Sequence, residues 1–292
     1  MTASRQYPRI VCEIGCNHMG DREMAKEMVI TATQFCKADV VKFQKRCPRE
    51  ALTSAQYAAP HPNAYHAYGK TYGEHREFLE FPLDFHAELK ALIESAGSVY
   101  ASSVWDLTSA REIASLEPKL IKLPSAKNQD WSIMEYLAAN YRGEIHISLG
   151  MTTRAEEQGI VDFFRRAGRS DDLALYACTS GYPVKDADVC LMEIRRLRET
   201  YEGRVRGIGF SGHHNGIAID MVAAALGAQW IERHFTLDRT LKGTDHAASL
   251  EPDGLRRLKR DTVAVVNAMG LKQEEILPVE WEQRTKLRGA TA

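Results

Sequence analysis

The residues best able to do chemistry are densest in the stretch IERHFTLDRTLKGTDHAASLEP, residues 231–252. It begins as a strand, and the period-two alternation of a strand places Glu232 and His234 on one face. A carboxylate and an imidazole that share a face are costly to bury unless they serve a site. The next loop adds groups able to move protons or hold anions: Asp238, Arg239, Lys242, Asp245 and His246. We interpret the stretch as part of a functional site; a partly solvated strand end with a polar loop is the alternative.

The elements that must position this stretch follow from the alternation of short apolar runs with longer amphipathic segments. The apolar runs predict strands near 9–14, 39–44, 98–103, 119–123, 144–149, 173–178, 206–210 and 229–235. The amphipathic segments predict helices near 21–37, 84–96, 108–116, 129–140, 153–167, 187–200, 216–226 and 252–269. Eight strand–helix pairs predict an α/β protein, a single-domain (β/α)₈ TIM barrel. A doubly wound sheet is the alternative, but no GxGxxG follows the first strand.

We expect the barrel to occupy residues 1–270 and a polar tail, helical at most in part, to occupy residues 271–292. The segment 45–80 is too long for an ordinary connection. It is rich in histidine, tyrosine, proline and asparagine, which favours a lid or a substrate loop over the site.

Composition narrows the classes of partner. The 292 residues have a formal net charge of −1, which gives no bulk basic field for nucleic acid or anionic membranes. The six cysteines are scattered, which is typical of reduced thiols in the cytoplasm rather than of disulfides. The N-terminus has no apolar signal core, and no apolar run approaches membrane-spanning length. We therefore expect a cytoplasmic protein that acts on small molecules.

The period-two rule, applied to each strand, places charged side chains on the face opposite the apolar set. These inward candidates are Glu13 in the first strand, Lys42 and Gln44 in the second, Lys122 in the fourth and Glu232 in the eighth. In a barrel the apolar set faces the helices, so the charged set faces the barrel mouth. One inward lysine could be a satisfied ion pair in a core, whereas agreement among four strands predicts a site.

The loops after the strands add hydroxyl groups and glycine backbone to the same mouth. The hydroxyl-bearing candidates are Ser125, Ser148, Thr179, Ser180, Tyr182 and Ser211. Two lysines among several hydroxyls and flexible backbone amides are typical of a phosphate or carboxylate pocket.

His213 and His234 end the seventh and eighth strands, which are neighbours roughly 5 Å apart in a sheet. Two imidazoles at that separation, with Glu232 and Asp245 nearby, predict a site for a divalent cation such as Mn²⁺ or Zn²⁺. The alternative is one core histidine and one loop histidine with no metal. Four further histidines are weaker metal candidates: His18, His146, His214 and His246. His146 should point the same way as Ser148, so it could also contact substrate.

The chain resembles the sialic acid synthase family, whose members condense phosphoenolpyruvate with an N-acetylated hexosamine. The resemblance rests on CEIGCNHMG (12–20), VKFQ (41–44), IKLPSA (121–126), SLGM (148–151), CTSGYP (178–183), GFSGHH (209–214) and the final block of residues 231–252. The family fold is a (β/α)₈ barrel, in agreement with the strand count. We therefore expect a C–C bond-forming transferase that makes a 3-deoxy 2-keto sugar acid of the sialic or nonulosonic type and releases phosphate by C–O cleavage.

The resemblance also implies roles for individual residues. His213 and His234 would hold a divalent metal, Mn²⁺ first, with Mg²⁺, Co²⁺ or Zn²⁺ as alternatives. Phosphoenolpyruvate would be held by Lys42, Lys122, Ser125, Ser148 and Ser211. The catalytic set would be Glu13, Lys42, Glu232 and Asp245. The sugar aldehyde or its water would be oriented by Gln44, Tyr182, Glu232 and Asp245, with Ser180 as a further contact.

Some positions depart from the family pattern. The family usually has an aspartate at Gly212, a proline at Thr244 and an asparagine near Ser180 or Gly181. Many relatives continue into an antifreeze-like domain that covers the partner's active site, and we expect no such domain before Ala292. The acceptor aldose, N-acetylmannosamine-like by resemblance, stays open, as does its phosphorylation; we expect a homodimer.

Two other readings of the same residues are a metal-dependent sugar isomerase or epimerase on this barrel and a non-catalytic relative that binds sugar or phosphoenolpyruvate. Phosphate release that requires phosphoenolpyruvate, aldose and Mn²⁺ together separates them from the synthase.

Overall fold

A computed structural model describes residues 6–288, in which eight parallel strands pair in sequential order and close into a barrel. The strands, β1 to β8, are Arg9–Gly15, Val40–Lys45, Val99–Val104, Leu120–Leu123, Glu144–Ser148, Leu173–Cys178, Gly207–Gly212 and Trp230–His234. Every predicted strand is present, with ends displaced by two residues at most. The predicted (β/α)₈ barrel is therefore confirmed.

Helices connect successive strands on the outside of the barrel. In chain order, α1 to α12 are Arg22–Ile30, Pro48–Ala51, Ser54–Ala58, Tyr72–Phe78, Leu83–Ser95, Leu107–Ser115, Trp131–Asn140, Arg154–Arg166, Met192–Tyr201, Ala218–Ala225, Pro252–Ala268 and Pro278–Arg288. Caps set several of the starts: Asp21 accepts backbone N–H bonds at α1, and Thr153 with Glu156 forms a capping box at α8.

Two helices differ from the predicted spans. The helix predicted over 21–37 ends as α1 at Ile30 and continues as a π-helical turn, Thr31–Phe35. The helix predicted over 187–200 starts only at Met192, because a 3₁₀ turn occupies Asp186–Asp188 and Cys190 has a left-handed φ of 54°. A residue in that conformation cannot continue an α-helix.

The barrel interior and its outer surface carry different side chains, as the period-two rule predicts. The outward residues, such as Ile10, Phe43 and Ile121, pack against the helices in one large core. The lower interior is filled by a separate apolar floor: Val11, Val40, Val99, Ala101, Leu120, Ala174, Tyr176 and Trp230. The inward charged residues lie above this floor, toward the carboxyl ends of the strands, so the floor closes the cavity from below.

Arg233 is the charged residue that the alternation assigns to the outer face of β8, and the structure places it there, fully buried. Its guanidinium donates to the carboxylate of Asp220 on α10 and to the backbone oxygen of Gly216, 2.8 Å away. The partner carboxylate makes this charge tolerable in the layer between strand and helix.

The segment 45–80 is folded rather than an extended loop. It contains α2, α3 and α4 together with a 3₁₀ turn at Ala64–His66. The Tyr68 hydroxyl donates to the backbone oxygen of Lys242 at 2.6 Å, and the Gly243 N–H donates to His66 Nδ1 at 3.1 Å. These bonds fix the segment beside the loop after β8, at the mouth of the barrel.

The last barrel helix is α11, and the predicted tail is partly helical because α12 lies within it. Residues 289–292 of that tail lie outside the described residues. Across residues 6–288, no helix combines the length and the apolar character needed to cross a bilayer.

Candidate active site

The charged residues predicted to face inward form one buried cluster, which we call the quartet: Glu13, Lys42, Lys122 and Glu232. Lys42 Nζ lies 2.6 Å from Glu13 Oε2 and 3.7 Å from Glu232 Oε1. Lys122 Nζ lies 2.6 Å from the same Glu232 oxygen. All four side chains are almost completely buried. The cluster is neutral overall, with each lysine beside a carboxylate, as buried charges require.

The quartet perturbs its own protonation equilibria. Burial alone would raise the pKa of Glu232, but the ammonium groups of Lys122 and Lys42 outweigh burial and lower that pKa. Burial and the neighbouring Lys42 lower the pKa of Lys122, while Glu232 opposes the change. Two lysines that line one cavity and share the Glu232 carboxylate can also share their charge with an anion in that cavity.

All of the residues to which the family resemblance assigns a role, except Asp245, line one cavity at the carboxyl ends of the strands: Glu13, Lys42, Gln44, Lys122, Ser125, Ser148, Ser180, Tyr182, Ser211, His213, Glu232 and His234. Asp245 lines an adjoining cleft, and its carboxylate lies behind one of the imidazoles, with Oδ2 3.8 Å from His234 Nδ1. The geometry therefore brings the predicted set together and assigns Asp245 to an outer position.

The predicted hydroxyl groups surround the lysines. Ser211 Oγ donates to Glu232 Oε1 at 3.2 Å, and the Gly150 N–H donates to Ser125 Oγ at 3.1 Å. A Cβ atom at Gly150 would lie 2.3 Å from Ser180 Oγ and 2.6 Å from Ser125 Oγ. Glycine at this position thus lets both hydroxyls come close to its backbone, and together they form a polar wall of the cavity.

The two imidazoles lie side by side, as their strand ends predict. The ring centroids of His213 and His234 are 5.5 Å apart, and the Tyr182 ring lies 4.3 Å from that of His213. His213 Nδ1 lies 3.1 Å from the backbone oxygen of Thr179, so this nitrogen donates and Nε2 keeps its lone pair. Burial and the neighbouring His234 lower the pKa of His213 to about 3, which keeps the ring neutral at pH 7.

The pair fits the role of metal ligands. A backbone carbonyl that accepts from one ring nitrogen is the usual device for aiming the other nitrogen at a metal. His234 Nδ1 is buried without a hydrogen-bond partner among residues 6–288, beside the Asp245 carboxylate. Within the same residues no three histidine, cysteine or acidic side chains form a ready metal cage. The two imidazoles could therefore hold a divalent cation whose other ligands come from substrate and water.

The weaker histidine candidates all have partners outside the cavity. His146 faces inward as predicted, but it lies below the cavity floor, bonded to Tyr176 and Glu144. It does not line the cavity, so the structure does not place it among the groups that would contact substrate there. The other three rings contact Phe81, Arg233 or Thr236: His18, His214 and His246.

Sequence reasoning missed several residues of the cavity. Ser103 accepts a hydrogen bond from Lys42 Nζ at 2.7 Å, and the period-two rule for β3 would have found it. Trp105 lines the cavity and stacks on the guanidinium of Arg46, 4.1 Å from the ring centroid. Cys178 also lines it, 3.6 Å from Ser125 Oγ. Trp105 and Arg46 lie beyond their strand ends, where alternation no longer predicts direction.

Gly212 has a packing reason to be glycine. A Cβ atom there would lie 2.8 Å from ring carbons of both His214 and Phe210. The position therefore has no room for a carboxylate beside the imidazoles unless the two rings move.

An eight-stranded parallel barrel whose mouth gathers ion-paired lysines, carboxylates and two neutral imidazoles defines a (β/α)₈-barrel enzyme. Residues 28–274 match the model of the NeuB family. The chain is 35% identical over 278 residues to the N-acetylneuraminate-9-phosphate synthase of Homo sapiens, a match that covers 95% of this chain and 76% of that protein. It is 30% identical to the N,N'-diacetyllegionaminic acid synthase of Campylobacter jejuni, over 89% of this chain and 77% of that one. The chain belongs to the NeuB family.

A solved structure supports the same assignment. The N-acetylneuraminic acid synthetase of Leptospira borgpetersenii, in complex with citrate, superimposes with a TM-score of 0.81 at 26% identity. The match covers 99% of this chain and 97% of that chain. The protein is thus a synthase of the sialic acid type, as the motif resemblance predicts, and its relatives make several different nonulosonic acids.

Proposed function

We propose that this enzyme condenses phosphoenolpyruvate with an aldose to give a 3-deoxy 2-keto sugar acid and inorganic phosphate. The observation that carries the proposal is the position of Lys42 and Lys122, two buried ammonium groups at the bottom of the cavity that also holds His213 and His234. Bound phosphoenolpyruvate is a compact anion with a phosphate and a carboxylate, and it needs such a pair of cations.

The quartet explains how a neutral site binds an anion. In the free enzyme Glu13 and Glu232 neutralise the charges of the two lysines. The nitrogen–oxygen distance is 2.6 Å both between Lys42 and Glu13 and between Lys122 and Glu232. A phosphate oxygen that approaches from the cavity accepts hydrogen bonds from the ammonium groups, which have three donors each, and so draws part of the lysine charge away from the carboxylates. Ser125, Ser148 and Ser211 supply further hydroxyl donors around the same space.

The reaction balances without an external oxidant or reductant. C3 of phosphoenolpyruvate forms a bond to the aldehyde carbon, and the aldehyde oxygen takes up a proton. Water adds at C2. The bond between C2 and the oxygen that bridges to phosphorus then breaks, so that phosphate leaves with the bridging oxygen. Glu13, which accepts from Gln44 Nε2 at 2.6 Å, faces this cavity and could stabilise positive charge at C2 or accept the proton of the water. Asp245 is the second candidate base.

His213 and His234 would hold a divalent cation, Mn²⁺ by the family resemblance. When bound, such an ion supplies a Lewis acid that polarises the aldehyde oxygen. Tyr182, packed on His213, closes the same side of the cavity and could orient the sugar.

A specific observation favours a phosphorylated acceptor. Arg76 and Lys242 line the cleft that adjoins the cavity, and the carboxylate of Asp245 lines it with them. Lys242 Nζ lies 4.5 Å above the Tyr68 ring, and the Arg76 guanidinium donates to the Tyr72 hydroxyl. Two cations beside the single carboxylate of Asp245 leave an excess positive charge at the outer mouth, which suits a phosphate at the far end of a sugar whose aldehyde lies near His234. The 9-phosphate product in the name of the human relative supports the same choice.

The test is phosphate release from phosphoenolpyruvate labelled with ¹⁸O at the bridging position, with Mn²⁺ and a panel of aldoses with and without a terminal phosphate. We expect release only when all three components are present, and we expect the label in the phosphate. Label left in the organic acid, or turnover of the aldose alone to an isomer, would contradict the proposal.

Two variants test the assignment of the sites. Lys122→Met is expected to raise the KM for phosphoenolpyruvate far more than the KM for aldose, with the exposed Lys119→Met as the matched control. Arg76→Met is expected to raise the KM for a phosphorylated aldose about 10-fold or more, the loss expected of one charge-assisted contact. An equal effect of Arg76→Met on the unphosphorylated aldose would remove the phosphate assignment.

A further inference from the structure

A line of contacts runs from the anion-binding lysine through the barrel floor to the opposite end of the barrel. Lys122 Nζ lies 4.2 Å from the centroid of the Tyr176 ring. The Tyr176 hydroxyl lies 2.8 Å from His146 Nδ1, and His146 Nε2 lies 3.0 Å from Glu144 Oε2. Glu144 also pairs with Arg206 at 2.7 Å. Neither Tyr176, His146 nor Glu144 lines the substrate cavity.

The direction of the hydrogen bonds follows from the partners. An ionised carboxylate can only accept, so Glu144 accepts the N–H of His146 Nε2. Burial lowers the pKa of His146, so the ring is neutral and its Nδ1 carries the lone pair. The Tyr176 hydroxyl therefore donates to Nδ1. Donation by the phenol increases the electron density of its ring, and the face of that ring attracts the Lys122 ammonium group.

The ring is also fixed by the shape of the floor. A Cβ atom at Gly209 would lie 2.7–2.9 Å from carbons of the Tyr176 ring, so the ring occupies the space that a side chain there would fill. On another side the indole of Trp230 packs 4.9 Å from the His146 ring. The phenol has no room to swing away, and its face stays under Lys122.

We infer that Tyr176, held by His146 and Glu144, is the positioning residue for Lys122 in the proposed reaction with phosphoenolpyruvate. In the free enzyme Glu232 also orients the ammonium group, but an incoming phosphate competes with that carboxylate for the same three donors. The aromatic face does not compete with the phosphate, because it attracts the whole positive charge of the ammonium group through the ring quadrupole. Lys122 thus keeps its position while its hydrogen bonds pass from protein to substrate.

The molecule contains a matched control for this arrangement. The Tyr100 hydroxyl lies 2.8 Å from His86 Nδ1, so the two residues form the same type of buried tyrosine–histidine pair. Tyr100, however, lies on the outer face of β3. Both tyrosines are fully buried. Tyr100→Phe therefore removes an equivalent hydrogen bond at an equivalent depth without touching Lys122.

The test compares Tyr176→Phe, Tyr176→Leu and Tyr100→Phe by steady-state kinetics and by calorimetric titration with phosphoenolpyruvate. We expect Tyr176→Phe, which keeps the ring, to raise the KM for phosphoenolpyruvate about 3-fold, and Tyr176→Leu about 30-fold, the range of a desolvated cation–π contact. The KM for aldose should stay unchanged in both. Tyr100→Phe should keep both KM values despite a similar loss of thermal stability.

Equal KM effects in Tyr176→Phe and Tyr100→Phe, or a rise in the aldose KM that matches the rise for phosphoenolpyruvate, would overturn the inference. So would a Tyr176→Leu protein that binds phosphoenolpyruvate as tightly as the wild type in the titration. A different result would contradict the proposed function, namely wild-type protein that releases no phosphate. In that case the titration with phosphoenolpyruvate would still test the contact between Tyr176 and Lys122.

Discussion

Replacing Glu232 by glutamine should destabilise the fold more than any other isosteric change in the cavity. The carboxylate of Glu232 forms ion pairs with Lys122 at 2.6 Å and with Lys42 at 3.7 Å, and it accepts a hydrogen bond from the Ser211 hydroxyl at 3.2 Å. Glutamine preserves the shape but removes the charge. Lys42 keeps Glu13, whereas Lys122 then has no carboxylate within 4 Å in the part of the chain that the structure describes.

The expected magnitude follows from the distances. At an effective dielectric constant of about 20, a charge pair contributes roughly 6 kcal/mol at the closer of these separations and roughly 4 kcal/mol at the longer one. Repulsion between the two lysines and the dehydration of each ion offset much of that sum. Measured losses when one partner of a buried ion pair is removed are about 3–5 kcal/mol. We expect a loss of that size in the free energy of unfolding.

The assay is urea unfolding of Glu232→Gln, Lys122→Met and the double variant at pH 7. Lys122→Met in the Glu232→Gln background removes the orphaned ammonium group, so the double variant should recover part of the lost free energy of unfolding. Glu199→Gln, which breaks a surface pair with Arg195, is the control and should leave the midpoint unchanged. A Glu232→Gln protein with the wild-type midpoint, or single changes that simply add, would refute the reasoning.

Three further predictions use other parts of the structure. Gly212→Asp should lower the melting temperature and should not tighten Mn²⁺ binding in calorimetry, because its Cβ meets two rings at 2.8 Å. His213→Ala should lose bound Mn²⁺ after dialysis, measured by elemental analysis, together with phosphate release; retention of both would make the metal assignment wrong. Burial lowers the pKa values of His18 and His86 to about 3, so the unfolded chain binds more protons as pH falls below 6.5. Each should therefore cost about 2 kcal/mol of stability between pH 7 and pH 5 in urea unfolding, and His86→Gln should reduce the total loss by about 2 kcal/mol.

The sequence determined the elements and the direction of most functional side chains. Alternation along β1, β2, β4 and β8 was enough to place Glu13, Lys42, Lys122 and Glu232 inside the barrel, because successive side chains in a strand point to opposite faces. The strand ends likewise placed His213 beside His234.

Beyond the strand ends the same reasoning lost its basis. The sequence of segment 45–80 predicts a loop, because its short helices depend on local caps and on bonds to Lys242 and Gly243, which are 174 and 177 residues away from their partners in the chain. Arg46 and Trp105 were missed for a similar reason, since a loop has no repeat that fixes where a side chain points.

Only the tertiary structure decided which groups pair. Lys122 and Glu232 are 110 residues apart in the chain, and closure of the barrel brings them to 2.6 Å. The lone pair available on His213, the support of Tyr176 beneath Lys122 and the lack of space at Gly212 depend in the same way on distant neighbours. Side-chain direction is a property of each strand's own backbone, whereas distance between side chains depends on the register and packing of all eight strands at once.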